Sequence, residues 1–161
     1  MAALIRQARP GDEQRVAEFA IRLFDQHVEY DPERFSTFAN VEGAARFYRS
    51  RFDTPDSAVL VAEVDGEVVG FAYLERDELN YAELLRDGAW LHDIYVNESA
   101  RAEGIGRDLI NAAAETAKRM GAKKLLLTVA AKNAIAQQVF EKAGFRRTMV
   151  EMTLNLTDGS K

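Results

Sequence analysis

Cysteine is missing altogether from these 161 residues. That excludes a disulfide framework, a thiolate nucleophile, a zinc ribbon and an iron–sulfur cluster together, and it suits a cytoplasmic, reducing compartment. Histidine occurs only twice, so any metal would have to rest on carboxylates, and none is expected. An excess of basic charge is also lacking. The net charge of −5 leaves no stripe to neutralise nucleic-acid phosphates and favours a cationic partner. No uninterrupted run of ~18 apolar residues occurs, and the opening Met-Ala-Ala-Leu-Ile-Arg lacks the apolar centre of a leader, so neither membrane insertion nor export is expected. What remains is ordinary globular material, 47% hydrophobic and 29% charged, of a length that suits a single domain over residues 1–161.

Residues 3–8 read as a short strand. Gly11-Asp12 offers an N-cap to a helix whose Val16, Phe19, Ala20, Leu23 and Phe24 share one apolar face. Gln26 to Ser36 reads as a connection, and 40–52 as a second helix carrying Ala44, Phe47 and Tyr48, broken by Thr54-Pro55-Asp56. The runs 58–64 and 67–74 flank Asp65-Gly66, a pair suited to the positive φ angles of a type I′ turn, so they form an antiparallel hairpin. Residues 76–88 are acidic and polar, and read as a short helix or a loop over a cleft. A strand over Trp90 to Val96 leads to a helix at 104–120, with Ile105, Leu109, Ala113 and Met120 on one stripe and Gly121 ending it. A strand at 122–130, a helix at 133–143 and a last strand at 145–155 complete an α/β (α+β) order. The strand–helix–strand unit predicts a right-handed crossover between parallel strands.

Between strand and helix stands Arg101-Ala102-Glu103-Gly104-Ile105-Gly106. Two glycines let the backbone approach a bulky anion, and the open amides of the first helical turn point towards it, which suits a pyrophosphate. There is no Gly-Lys-Ser/Thr of a nucleotide P-loop, and the spacing is not Gly-x-Gly-x-x-Gly. This turn, with Leu91-His92-Asp93-Ile94-Tyr95-Val96 before it and Asn133-x-x-Ala136 and Gly144-Phe145 after it, resembles the GCN5-related N-acetyltransferase superfamily, motif for motif over about residues 88–146. The Leu-His-Asp-Ile-Tyr-Val run is similar to the diamine and spermidine acetyltransferase branch, where an acidic pair stands at the places of His92 and Asp93.

The resemblance implies a mixed central sheet of six to seven strands with about four helices, and acetyl-CoA as co-substrate where two parallel central strands splay apart. The pantetheine arm would run beside Ile94, Tyr95 and Val96 like an added strand. Arg101, Ala102, Glu103, Gly104, Ile105, Gly106 and Arg107 would hold the pyrophosphate, and Asn133, Ala136 and Phe140 would line the cofactor from the next helix. Asn133 also reads as that helix's N-cap. A homodimer is compatible with the family.

The chemistry asks first for a base. An amine of pKa near 10.4 costs about 4–5 kcal/mol to deprotonate at pH 7, whereas protonating a departing thiolate of pKa near 8.5 is worth about 2 kcal/mol. His92 is the candidate base, because imidazole titrates near neutrality. By strand alternation it shares a face with Trp90, Ile94 and Val96, while Asp93 shares the other with Leu91 and Tyr95. Asp93 is a candidate partner for a cationic amine. Many family members carry a tyrosine acid at the place of Phe140, which cannot donate; water or a hydroxyl such as that of Tyr95 would then serve. That departure also admits a non-catalytic acyl-CoA-binding module. Tyr30, Glu75 and Tyr81 are candidate acceptor-site residues, among two acidic clusters near 25–33 and 75–87 that would attract a polyamine, an aminoglycoside or a basic peptide.

Overall fold

The computed structural model describes residues 2–157. Five strands form one mixed sheet in the order β1-β2-β3-β4-β5: β1 Leu4–Gln7, β2 Ser57–Val64, β3 Glu67–Asn80, β4 Leu85–Val96 and β5 Lys124–Leu126. The first three pairings are antiparallel and the last, β4 with β5, is parallel. Four α-helices accompany them: α1 Glu13–Tyr30, α2 Val41–Arg49, α3 Ile105–Arg119 and α4 Ala134–Lys142, with a 3₁₀ turn at Glu98–Glu103 leading into α3.

Period-two alternation divides the core between the sheet's two faces. Val59, Val61, Phe71 and Tyr73 pack under Val16, Phe19 and Ala20 of α1 and Tyr48 of α2. Ala58, Leu60, Ala62, Ala72 and Leu74 pack under Ile105, Leu109, Ala113 and Ala117 of α3. The β2–β3 hairpin turns on Asp65 (φ 51°) and Gly66 (φ 81°), the pair of positive angles that a type I′ turn requires. Near the start of α1 the Asp12 carboxylate does not cap the helix. It accepts from the Arg6 guanidinium (2.7 Å) and the Arg9 amide (2.8 Å), while Arg6 also donates to Glu63 (2.8 Å). Asn40 does cap α2, accepting from the Gly43 amide at 2.7 Å.

Several sequence expectations are corrected. The α1 helix runs on to Tyr30, so 26–30 is helical and the connection begins at Asp31, held by ring contacts of His27 with Tyr30 and Phe35. Residues 76–88 are strand on either side of a turn at 81–84, not a helix or a loop throughout. They extend β3 and β4 as a long hairpin, paired out to Asn80 with Leu85 and braced by Arg76 on Asp87 (3.3 Å). Its polar, non-alternating sequence hid it, because little of the extension is buried. The strand expected at 122–130 pairs over only three residues, and the last strand, 145–155, pairs with none among the described residues. Among the described residues the sheet therefore has five strands, not six to seven.

Candidate active site

The β4 strand leaves β5 at one point, and a backbone irregularity marks it. Pairing with β5 runs from Gly88 to Trp90 and stops, although β4 continues to Val96. On the other edge the register with β3 slips by one residue, because Tyr73 faces Asp93 while Leu74 faces Leu91, leaving His92 as the extra residue of a bulge. A bulge bends its strand and sharpens the local twist, which accounts for the parting just beyond Trp90. It also resets alternation. Leu91 lies on the α3 face with Val96 and Ile94, not with Asp93 and Tyr95 as strict alternation predicts, while His92 stacks on Tyr73 (centroids 5.3 Å apart) and still faces one cavity with Ile94.

A cavity of about 70 Å³ opens in the gap. His92, Ile94 and Leu91 line it from β4, Leu127, Thr128 and Val129 from the chain after β5, Asn133, Ala136 and Phe140 from α4, and Leu23 and His27 from α1. Both histidines of the chain thus meet at one cavity. His27 was not picked out from the sequence, since its segment read as a connection; its spacing of four from Leu23 was the available signal. Its Nδ1 lies 2.8 Å from the Leu23 carbonyl, which can only accept, so Nδ1 carries the proton and a neutral ring presents its lone pair at Nε2. His92 is exposed, and its ring nitrogens make no hydrogen bond among the described residues.

Behind His92 lies a hydrogen-bonded layer. Tyr48 of α2 donates to Asp93 Oδ2 at 2.7 Å, and Tyr73 donates to Glu75. Burial pushes the Asp93 carboxyl above the ordinary carboxylate range, against the Tyr48 hydrogen bond and the nearby His92 and His27, which favour its charged form. Burial, then the neighbouring carboxylates, pushes both phenols up as well, so they remain protonated donors. Tyr95 is buried beside Phe19 on the α1 side and does not line the cavity, so Thr128 rather than Tyr95 is the hydroxyl there.

The glycine turn is an open cradle. Gly104 sits at φ 76° as the residue before α3, with no side-chain cap. The Asp108 amide is the first to bond back, to the Gly104 carbonyl (3.1 Å), which leaves the amides of Ile105, Gly106 and Arg107 without helical acceptors. Arg101 is already engaged: its Nε donates to the Val96 carbonyl (2.7 Å) and its guanidinium lies 5.2 Å from the Tyr95 ring centre. It therefore pins the turn to the end of β4, and it occupies the carbonyl of Val96, one of the three residues beside which the pantetheine arm is expected to run. Ala102, Glu103 and Arg107 are exposed. Asn133 accepts from the Ala136 amide (3.2 Å), so it caps α4 while lining the cavity. Phe140 is buried against Phe145.

Of the expected acceptor residues, Tyr30 ends α1 beside His27, Glu75 is bonded to Tyr73, and Tyr81 stands 83% exposed at the hairpin tip; none lines the cavity. A wider depression of about 440 Å³ lies on the hairpin among Arg76, Asp77, Glu78 and Arg86 and contains none of the motif residues.

The chain matches the Acetyltransferase (GNAT) family over residues 20–145 and belongs to it. An uncharacterized N-acetyltransferase of Bacillus subtilis (strain 168), YhfO, is 30% identical over 141 residues, 88% of either chain. The N-alpha-acetyltransferase of Sulfurisphaera tokodaii is 29% identical over 154 residues, covering 89% of this chain and 87% of its own. The solved aminoglycoside N-acetyltransferase AAC(6')-Iy in complex with CoA shares the fold, with a TM-score of 0.78 at 19% identity over 95% of this chain and 93% of that one. No helix among the described residues is long and apolar enough to cross a membrane.

Proposed function

We propose that the enzyme transfers an acetyl group from acetyl-CoA directly to a primary amine, with His92 as the proton acceptor. The observation that carries this reading is the convergence of both histidines on the cavity where β4 and β5 part. The free amides at 105–107, with Ala102 and Glu103 leading into them, suit a pyrophosphate in chemistry and dipole. The edge of β4 from Leu91 to Tyr95, unpaired on the β5 side, suits an extended pantetheine arm, with the Val96 carbonyl already taken by Arg101. Without cysteine no cysteinyl acyl-enzyme can form, so the amine attacks the thioester in a ternary complex. Its proton passes to His92, the tetrahedral adduct collapses, and the thiolate leaves with a proton from water or from the Thr128 hydroxyl. The −5 net charge favours a cationic acceptor, whereas Asp93, buried behind His92 and bonded to Tyr48, does not line the cavity. The name of one relative, an N-alpha-acetyltransferase, and that of one structure sharing the fold, an aminoglycoside N-acetyltransferase, both designate transfer to an amine.

The test is thiol release from acetyl-CoA across polyamines, aminoglycosides, amino acids and basic peptides. His92→Ala is expected to lower kcat about 10²–10⁴-fold while leaving CoA affinity within twofold. Turnover that survives His92→Ala and is lost in His27→Ala would transfer the base role to His27 and overturn the assignment.

A further inference from the structure

His92 lines the cavity, yet no hydrogen bond among the described residues holds its ring there. The carboxylate next to it in sequence does not supply one: Asp93 Oδ2 accepts from Tyr48 at 2.7 Å. What the imidazole does touch is Tyr73. Their planes lie 26° apart with centroids separated by 5.3 Å, a stack set up by the bulge that puts His92 between the Tyr73–Asp93 and Leu74–Leu91 pairings. Tyr73 itself is fixed. It is 4% exposed, the rings of Phe47 (5.7 Å, 89°) and Tyr48 (5.7 Å, 84°) meet it edge to face, and its hydroxyl is bonded to Glu75. An exposed imidazole with no hydrogen bond thus lies on a buried ring that is held from three sides.

We infer, on the reading that His92 accepts the proton of the amine, that Tyr73 is its positioning residue: the face of the phenol ring, rather than a carboxylate, sets the imidazole towards the cavity. The stack serves both states of the base. A neutral imidazole tilted over the ring keeps the dispersion and quadrupole contact of an aromatic pair. The imidazolium formed when the amine gives up its proton gains the attraction of a cation for a ring face within about 6 Å, which favours the step that charges the ring by about two- to fivefold. Orientation adds to this, because a displacement of about 1 Å at a reacting group costs up to about 10²-fold in rate. Phe47 and Tyr48 of α2 carry the tray, so α2 reaches the chemistry through Tyr73 although no α2 residue lines the cavity.

Proton NMR of the full chain, read beside thiol release from acetyl-CoA across the amine panel, tests this. The imidazole signals of His92 are those lost in His92→Ala. They are expected upfield in the wild type, with Overhauser contacts to the Tyr73 ring, unchanged in sense in Tyr73→Phe, and shifted downfield in Tyr73→Leu. Tyr73→Leu is expected to lower kcat about 5- to 100-fold with KM for acetyl-CoA within about twofold, and Tyr73→Phe to recover most of that loss. Full turnover in Tyr73→Leu, where His92→Ala is impaired, overturns the positioning role and leaves His92 as the base. An equal loss in Tyr73→Phe overturns it too, since the bond to Glu75 would then be what matters. Turnover undiminished in His92→Ala, or absent with every amine, removes the base and this role with it. Should Tyr73→Leu fail to fold, the Overhauser contacts of the wild type decide the question, and their absence overturns the inference.

Discussion

Tyr48→Phe removes a single oxygen from a ring that is 2% exposed and packed edge-on against Phe47, Phe71 and Tyr73. The ring stays, so the measured change belongs to the 2.7 Å hydrogen bond to Asp93. A bond to a charged acceptor is worth about 1.5–3 kcal/mol and one to a neutral acceptor about 0.5–1.5 kcal/mol. Asp93 is a carboxyl whose folded pKa is raised by burial, so the folded state holds its proton more tightly than the unfolded chain. Its contribution to stability is therefore complete below the ordinary carboxylate range and is lost as pH rises through the raised value. Tyr48 opposes that loss by favouring the carboxylate. Without its hydroxyl the Asp93 pKa rises further, and the variant's deficit grows with pH by about 1 kcal/mol. Urea unfolding of both proteins between about pH 4 and pH 9 measures it, as does a melting temperature that falls by about 2–4 °C per kcal/mol in a chain of this size. A deficit independent of pH, or no deficit at all, would refute the reasoning.

Three further outcomes are expected. Gly104→Val places a β-branched residue at φ 76° with its Cβ 3.0 Å from the Arg107 guanidinium; it should cost about 1–3 kcal/mol and abolish CoA binding by calorimetry, and retained affinity would remove the cradle from the site. Arg6→Met leaves the partly buried Asp12 and Glu63 without their shared cation, a loss of about 1.5–3 kcal/mol in urea unfolding. Burial works to raise the Asp12 carboxyl, but the Arg6 hydrogen bond and charge hold it below its usual range; the stability it brings is present at neutral pH and lost as pH falls, so the deficit of Arg6→Met should shrink in acid. Phe140→Tyr adds a donor at the cavity, and because thiolate protonation is worth about 2 kcal/mol, kcat in the thiol-release assay should rise by no more than about thirtyfold.

Much of this molecule is local and therefore legible in the chain alone. Asp65-Gly66 dictates its turn through two positive φ angles, the stripe Ile105, Leu109, Ala113 dictates one face of α3, and the glycine turn with its open amides follows from backbone chemistry that neighbours in sequence settle. Family membership followed from those motifs taken in order. The rest depends on partners far along the chain. The bulge at His92 exists only because β3 pairs out of step across it, and that slip turns Leu91 away from Asp93, parts β4 from β5 and opens the cavity. His27 joins the site because α1 runs on past Gln26, held by contacts with Tyr30 and Phe35. The acidic hairpin beyond Arg76 is a pair of strands because each supplies the other's backbone partners, which no composition records. The last strand expected at 145–155 does not form, because a strand is completed by its neighbour, and within this chain's described residues the fold supplies none.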